Sequence, residues 1–455
     1  MELPPAFTKQ MQAILGAEWP AFRDALDAPP PVSIRLHPVK KFKLEEISGK
    51  VKWNSKGVYL PTRPVFTLDP CFHAGAYYVQ EASSMFVGEA VRQLTGTGHP
   101  ITALDICAAP GGKSTLLLDA LPENSLVLAN EVIRSRYKAL RHNLIKWGYP
   151  GACSSMHDSR EFNALSGFFN LILVDAPCSG EGLFRKMPAA TCEWSPEAVQ
   201  LCAGRQKRIL ADSAGLLAPG GILLYTTCTY NQEENEKNAA WIADKLGLSP
   251  EPLQMEPGWG VVNTGLGYQF YPHRVQGEGF FLSAFRKPGG QSNAGRKPGK
   301  SAPRGYEPIA RDTRARLKPW IQEKEGLVFF QNSAGTIIAL PEQQQEAIVQ
   351  LSQVLSRFQP GLELGQFKRK DFVPAHALAL SQLPAPSVPR YGLAKDEALR
   401  FLKKENITPK ETLEGWRLAT FEGLALGWIK GLKNRINNYF PKEWRIRMEL
   451  GNAEE

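Results

Sequence analysis

The sequence predicts an α/β protein: a Rossmann-like nucleotide-binding domain preceded by an N-terminal α+β extension and followed by smaller C-terminal domains. Three observations predict it. The stretch LDICAAPGGKST, residues 104–115, is an apolar run that ends in a Gly-rich turn and passes at once into a helical run. Strand, glycine turn and helix form the opening unit of a nucleotide-binding fold. From residue 101 to 246, strand-length apolar runs alternate with amphipathic helix-length runs. That alternation implies a parallel sheet covered on both faces. Lastly, Glu131, Asp158 and Asp175 each follow a strand end, where open α/β sheets bind their ligands.

Taken in order, residues 1–28 read as a helical leader, with Phe7, Met11, Ile14 and Leu15 at helix spacing. The proline run at 29–31 breaks it before a strand at Val32–Leu36. Short strands at 53–60 and 77–80 and a helix at 81–93 complete an extension over 1–95. The central domain, 96–288, holds strands at 101–106, 126–130, 153–158, 171–174 and 222–226. Its helices are expected at 113–121, 134–147, 196–217 and 232–246, the second closed by Gly148. Residues 268–287 read as a terminal hairpin. A Gly/Ser/Lys-rich linker, 289–305, separates a small α/β module at 306–358 from a last domain at 359–455, which carries a helix at 395–405.

The 455 residues carry a net charge of +9, which favours a polyanionic partner, nucleic acid first. Apolar runs stay short of the roughly 18 residues a membrane span needs. No secretory leader is legible. The seven cysteines are scattered, without CxxC or Cys/His metal spacing. We therefore expect reduced thiols, a cytoplasmic location, no metal, no membrane partner and a monomer.

The turn lacks the GxxxxGK[ST] spacing of a P-loop. Gly111 and Gly112 let the backbone approach a ligand, and the helix that follows offers unpaired N–H groups. Glu131 lies 26 residues after Asp105, placed to accept from ribose hydroxyls. Asp158 is placed to accept from an adenine amino group, unless it is only a helix cap. Such a turn with these acids fits S-adenosylmethionine at least as well as a dinucleotide. Two cysteines give the sharper signal: Cys178 in DAPCSG and Cys228 in TTCT. Both sit in polar turns after strands, and the topology points both thiols into one crevice. A [DN]PP[YF] turn, expected for methylation of an adenine amino group, is missing, which argues for carbon methylation of a pyrimidine. C5 of cytosine is not nucleophilic until a thiolate adds at C6, and a carboxyl group near N3, here Asp175, stabilises the adduct. A nicotinamide-dependent oxidoreductase and a non-catalytic ribosome assembly factor are the alternatives, and neither gives the cysteine pair a role.

DICAAPGGKST, Asn130-Glu131, DAPCSGEG and TTCTYNQEENE resemble the successive motifs of the Sun/Nop-type RNA cytosine-5 methyltransferases. SIRLHP at 33–38, FHAGAYYVQEASSM at 72–85, GEGFF at 277–281 and GWIKGLKNRINNYFPKEWR at 427–445 are similar to that family's bacterial small-subunit members. The resemblance implies a class I methyltransferase fold, a PUA-like C-terminal RNA-binding domain, S-adenosylmethionine as cofactor, and 16S rRNA or the small ribosomal subunit as partner. It implies Cys228 as the C6 nucleophile and Cys178 as the residue that helps release the product. The turn Cys107, Ala108, Ala109, Pro110, Gly111, Gly112 and Lys113, with Glu131, Asp158 and Asp175, would bind the cofactor. Arg136 would line that site and Lys113 would contact the target base. Ser114 stands where many members carry Thr. In the C-terminal run, Lys430, Lys433, Arg435, Lys442, Arg445 and Arg447 are expected to meet phosphates. The interleaved Trp428, Tyr439, Phe440 and Trp444 are expected mainly to build a small core.

Overall fold

The computed structural model describes residues 1–96, 98–289, 301–322 and 324–448. The expected linker falls mostly on residues 290–300, outside the described residues.

A sheet of class I methyltransferase topology organises the chain. Its seven principal strands are β1 (Thr102–Asp105), β2 (Leu126–Asn130), β3 (Ala152–Ser155), β4 (Phe169–Asp175), β5 (Leu217–Thr227), β6 (Tyr268–Phe270) and β7 (Phe280–Arg286). They lie in the order 3-2-1-4-5-7-6. Strands β1 to β5 are parallel, and β7 is antiparallel to both β5 and β6. The apolar runs of β1, β2 and β4 are almost wholly buried, as a sheet covered on both faces requires. Helices Gly112–Ala120, Arg134–Trp147, Pro196–Leu216 and Glu236–Leu246 connect the strands. Gly148, at φ 81°, stops the second of these in the left-handed conformation. Ser195 caps the third by accepting from the Ala198 N–H.

Several elements depart from the sequence expectation for local reasons. The leader is two helices, Pro5–Leu15 and Trp19–Asp27, broken at Gly16, whose φ is 52°. Phe7, Met11, Phe22 and Leu26 pack against Phe184, Trp194 and Tyr230, on the loops that follow β4 and β5. Only Gly57–Leu60 of the expected 53–60 strand forms, because residues 51–57 turn and the Trp53 indole instead donates to the Ala82 carbonyl. The 81–93 helix starts as a short 3-10 turn and becomes Phe86–Thr95, since the Glu81 carboxylate takes the Ser83 and Ser84 N–H groups. The helix expected from 232 begins at Glu236, because Asn231, Glu234 and Asn235 spend their side chains on neighbouring loops.

Beyond the central sheet, strands Tyr306–Pro308, Leu327–Asn332, Thr336–Pro341, Leu362–Lys368 and Asp371–Pro374 make one sheet. The boundary expected at 358/359 cuts through it: Ile337 pairs with Gly365, so the module extends past 358. Its Phe330, Ile338 and Leu340, with Ile348 and Leu351 of helix Gln345–Val354, share a core with Phe162 and Leu165 of the central domain. A final four-stranded sheet, residues 390–438, carries helix Lys395–Lys403.

Arg35 fastens the N-terminal extension to the central domain. It is 1% exposed, donates to Gln80 Oε1 at 2.8 Å and Thr115 Oγ1 at 2.6 Å, pairs with Asp119, and stacks 4.5 Å from the Trp147 ring centroid. Asp119 also accepts from Trp147 Nε1 and the Tyr149 hydroxyl. Burial pushes Arg35 down and Asp119 up, and their mutual attraction opposes both shifts. Arg35→Met should therefore cost about 3–5 kcal/mol in urea unfolding, because it strands a buried carboxylate. The double variant R35M/D119L should recover only part of that loss, because Trp147 Nε1 and the Tyr149 hydroxyl then lack their acceptor; a loss under about 1 kcal/mol in the single variant contradicts this role.

Candidate active site

The Gly-rich turn is pinned to three strands. The Ile106 N–H donates to the Leu173 carbonyl at 3.1 Å and the Ala108 N–H to the Asn130 carbonyl at 2.8 Å. Gly111 has φ 109°, a conformation L side chains rarely adopt, and a Cβ there would stand 3.2 Å from the Leu140 side chain. Helix Gly112–Ala120 starts here with no side chain capping its N-terminus, which leaves its first N–H groups without an intrahelical or side-chain acceptor. Below it, Ser114 Oγ donates to Asp105 Oδ2 at 2.6 Å. Asp105 is fully buried, its other oxygen has no partner, and burial pushes its pKa to about 7.

Glu131, only 3% exposed, ends β2. One oxygen accepts from the Ile133 N–H at 2.9 Å, and the other lies 3.4 Å from the Arg136 guanidinium. Arg136 also donates to the Ala109 carbonyl at 2.8 Å, so it ties the acid to the turn. Asp158 is differently occupied. It caps the 3-10 turn Ser159–Leu165 in a capping box with Glu161, and its carboxylate meets Arg160 at 3.1 Å and Arg208 at 3.4 Å. The Cys107 thiol is kept protonated by burial first and by Asp105 and Asp175 next.

Cys178 and Cys228 meet. Their sulfurs are 3.1 Å apart, and the Cys228 N–H donates to Cys178 Sγ at 3.3 Å. Both are free thiols. The hydrogen bond to Cys228, then burial, holds the Cys178 thiol well above its ordinary pKa. Beside them, Lys113 Nζ is 2.8 Å from Asp175 Oδ2, and Thr226 Oγ1 donates to Asp175 Oδ1 at 2.9 Å. Burial alone would lower the Lys113 pKa, but the Asp175 carboxylate outweighs it and the net shift is upward. The ammonium is therefore charged at neutral pH. Cys178, Cys228, Asp175 and Lys113 thus converge at the carboxyl ends of β4 and β5 and the first turn of helix Gly112–Ala120.

Sequence reasoning missed the buried polar frame behind these groups. Glu181, fully buried, accepts from Trp194 Nε1, the Tyr230 N–H and Asn231 Nδ2 at 3.0–3.1 Å. Glu234, also fully buried, accepts from the Ser179 N–H and from Gln206 Nε2. Both acids lie inside the quoted motifs, yet an acid in a polar turn reads as solvated until its burial is known. Among the described residues no group of three or more His, Cys, Asp or Glu could hold a metal ion. None of the described helices is long and apolar enough to cross a membrane. In the last domain Trp428 and Phe440 are buried, Trp444 stacks on His142 at 4.1 Å, and Tyr439 is exposed. Lys433, Arg435, Lys442, Arg445 and Arg447 all face solvent, and Lys430 is half-buried.

Comparison with known proteins gives matches along the chain. Residues 98–286 match the 16S rRNA methyltransferase RsmB/F family. Residues 3–82 match the N-terminal domain of 16S rRNA methyltransferase RsmF, and residues 388–446 match the methyltransferase RsmF PUA domain. The ribosomal RNA small subunit methyltransferase F of Cronobacter sakazakii is 30% identical over 383 residues, 81% of this chain and 78% of that protein. Its counterpart from Erwinia tasmaniensis is 29% identical over 485 residues, covering 97% of this chain and 96% of the other. A crystal structure of a methyltransferase homolog protein from Pyrococcus horikoshii superposes with a TM-score of 0.50 at 26% identity, covering 63% of this chain and all of that one. With a Gly-rich turn, a strand-end acid and two facing thiols on this sheet, and with relatives that span its length, the chain belongs to the RsmB/F family of 16S rRNA methyltransferases, enzymes whose methyl donor is S-adenosylmethionine.

Proposed function

We propose that this chain methylates C5 of a cytosine in small-subunit ribosomal RNA through a covalent bond between Cys228 and C6 of the base. The observation that carries the reading is the 3.1 Å approach of the two thiols beside the Lys113–Asp175 pair. A methylase acting on an amino group needs no thiol, whereas C5 of cytosine needs a nucleophile added at C6 first.

S-adenosylmethionine supplies an electrophilic methyl group on a sulfonium sulfur. The residues suited to hold it are the turn 107–113, Glu131, Arg136, Asp158 and Asp175. The fit rests on chemistry: Glu131 is an acceptor for ribose hydroxyls, and the partnerless Asp105 oxygen lies under the same turn, where a cationic amino acid group would be welcome. Asp158 fits least well, since two arginines and a cap already engage it. Cys107 contributes shape and backbone, because its thiol stays protonated.

In the first step the Cys228 thiolate adds to C6. The C5–C6 electron pair shifts toward C4 and N3, where the Lys113 ammonium and the Asp175 carboxyl are suited to meet the negative charge developing at N3 and the exocyclic amino group. C5, now enamine-like, would take the methyl group of a bound S-adenosylmethionine, whose carbon–sulfur bond would break to leave the neutral thioether. The C5 proton must then leave, its bonding pair re-forms the double bond, and the Cys228–C6 bond breaks to return the thiolate. Cys178 is suited to take that proton. Its own proton is held chiefly by hydrogen bonding to Cys228. Once Cys228 is a thioether its negative charge no longer holds that proton, which removes the largest of the causes that raise Cys178 and leaves burial as the main one.

The target base must leave any stack to reach the thiols, which costs a few kcal/mol and least in single-stranded RNA. The exposed cations of the last domain are suited to the phosphates around it.

Cys228→Ala should abolish turnover without loss of S-adenosylmethionine binding; measurable 5-methylcytidine formation contradicts the nucleophile. Cys178→Ala should slow turnover by about 10²–10⁴-fold and leave protein cross-linked to RNA on a denaturing gel. No adduct with natural RNA contradicts the release role. The triple variant K442A/R445A/R447A should raise KM for RNA at unchanged kcat. It should also flatten the dependence of log K on log salt by about one for each phosphate the protein no longer neutralises. An unchanged slope contradicts a phosphate-binding role for these residues.

A further inference from the structure

Resting on that reading, we propose that Glu234 is a positioning residue for the release step: it clamps the peptide on both sides of Cys178 and so sets where that sulfur stands against Cys228. The carboxylate is fully buried, and its hydrogen bonds go to the groups flanking Cys178. It accepts from the Ser179 N–H, one residue after Cys178, at 3.0 and 3.3 Å. It also accepts from Gln206 Nε2 at 2.7 Å, and the same nitrogen donates to the Pro177 carbonyl, one residue before Cys178, at 3.0 Å. The Cys178 peptide is thus gripped from both flanks by one carboxylate and one amide. Gln206 is itself fixed, since its Oε1 accepts from Asn238 Nδ2 at 2.7 Å and from the Tyr225 hydroxyl at 2.9 Å. The clamp reaches the other thiol as well: Ser179 Oγ lies 3.1 Å from Thr229 Oγ1, and Thr229 follows Cys228.

Both close bonds fall on Oε2, while Oε1 stands 3.3 Å from the Ser179 N–H, so protonation at Oε1 would set an O–H against that donor. Burial pushes Glu234 up to about 7. The titratable groups facing it are Cys178, Cys202, Tyr225 and Glu181, none of them a cation. Below that pH the clamp loosens; above it the clamp is made.

Glu234→Gln keeps the length of the side chain but presents an NH2 to one of its two donors. In a steady-state assay across pH 6–9 the variant should lose about ten- to a hundredfold in kcat with KM for RNA and S-adenosylmethionine unchanged, as expected for misplacement of a reacting group. A fraction of the protein should remain cross-linked to RNA on a denaturing gel, as for C178A. Wild-type kcat should fall more steeply below about pH 7 than that of the variant, which keeps only the dependence on the Cys228 thiolate. Gln206→Met, which removes the other half of the clamp, should accumulate the same adduct and serves if E234Q fails to fold. Wild-type kcat, an unchanged pH profile and no adduct in either variant, while C178A still traps, overturn the clamp alone. Absence of an adduct in C178A overturns the release role of Cys178 and the clamp together.

Discussion

The site depends on the parallel pairing of β4 with β5 in one register. Asp175 is the partner of Thr226 across that pair. Each chain then runs two or three residues further, to Cys178 and Cys228, before it turns away. A two-residue slip in either strand would move the thiols apart by more than the length of a hydrogen bond, because each residue of a strand advances about 3.3 Å. Ile172 and Leu223 pack in the core on one face of the sheet and Leu173 and Leu224 in the core on the other, so a shift of one residue would exchange the side chains that each core is built to hold.

The same register assembles the charges. Thr226, opposite Asp175, holds one of its carboxylate oxygens, and Lys113 from the neighbouring helix holds the other. The acid is therefore fixed by a hydroxyl from β5 and an ammonium from the turn after β1, and neither can move without the sheet. Behind it, Glu181 and Glu234 are buried with no cation beside them among the described residues. N–H donors from the two cysteine loops, with the Gln206 amide of helix Pro196–Leu216 and the Trp194 indole, keep them in place, so those loops are held from inside the protein. Buried acceptors of this kind are costly unless fully bonded, which makes the loops rigid once folded.

Much of this is legible in the chain. Helix 134–147 and strand 126–130 match their sequence patterns to the residue, because a strong apolar run and a closing glycine bound them on both sides. The convergence of Cys178, Asp175 and Cys228 follows from strand alternation alone. Long-range packing hides the rest. Nothing local says that Phe7 and Phe22 must bend the leader around Tyr230, or that Glu81 takes two N–H groups and delays a helix. A boundary at 358/359 fits the sequence because residues 356–361 carry no strong pattern, yet a sheet runs across it. Glu234 reads as one more polar residue in NQEENE, and only its burial sets it apart.

The most direct test of the account maps the covalent bond. The C178A protein would be incubated with unmethylated small-subunit rRNA and S-adenosylmethionine, then digested with protease and nuclease and analysed by tandem mass spectrometry. The account predicts a peptide in which Cys228 carries a C5-methylated cytidine nucleotide. A nucleotide on any other cysteine, or methylated RNA formed with no covalent peptide at any time in the reaction, would contradict it.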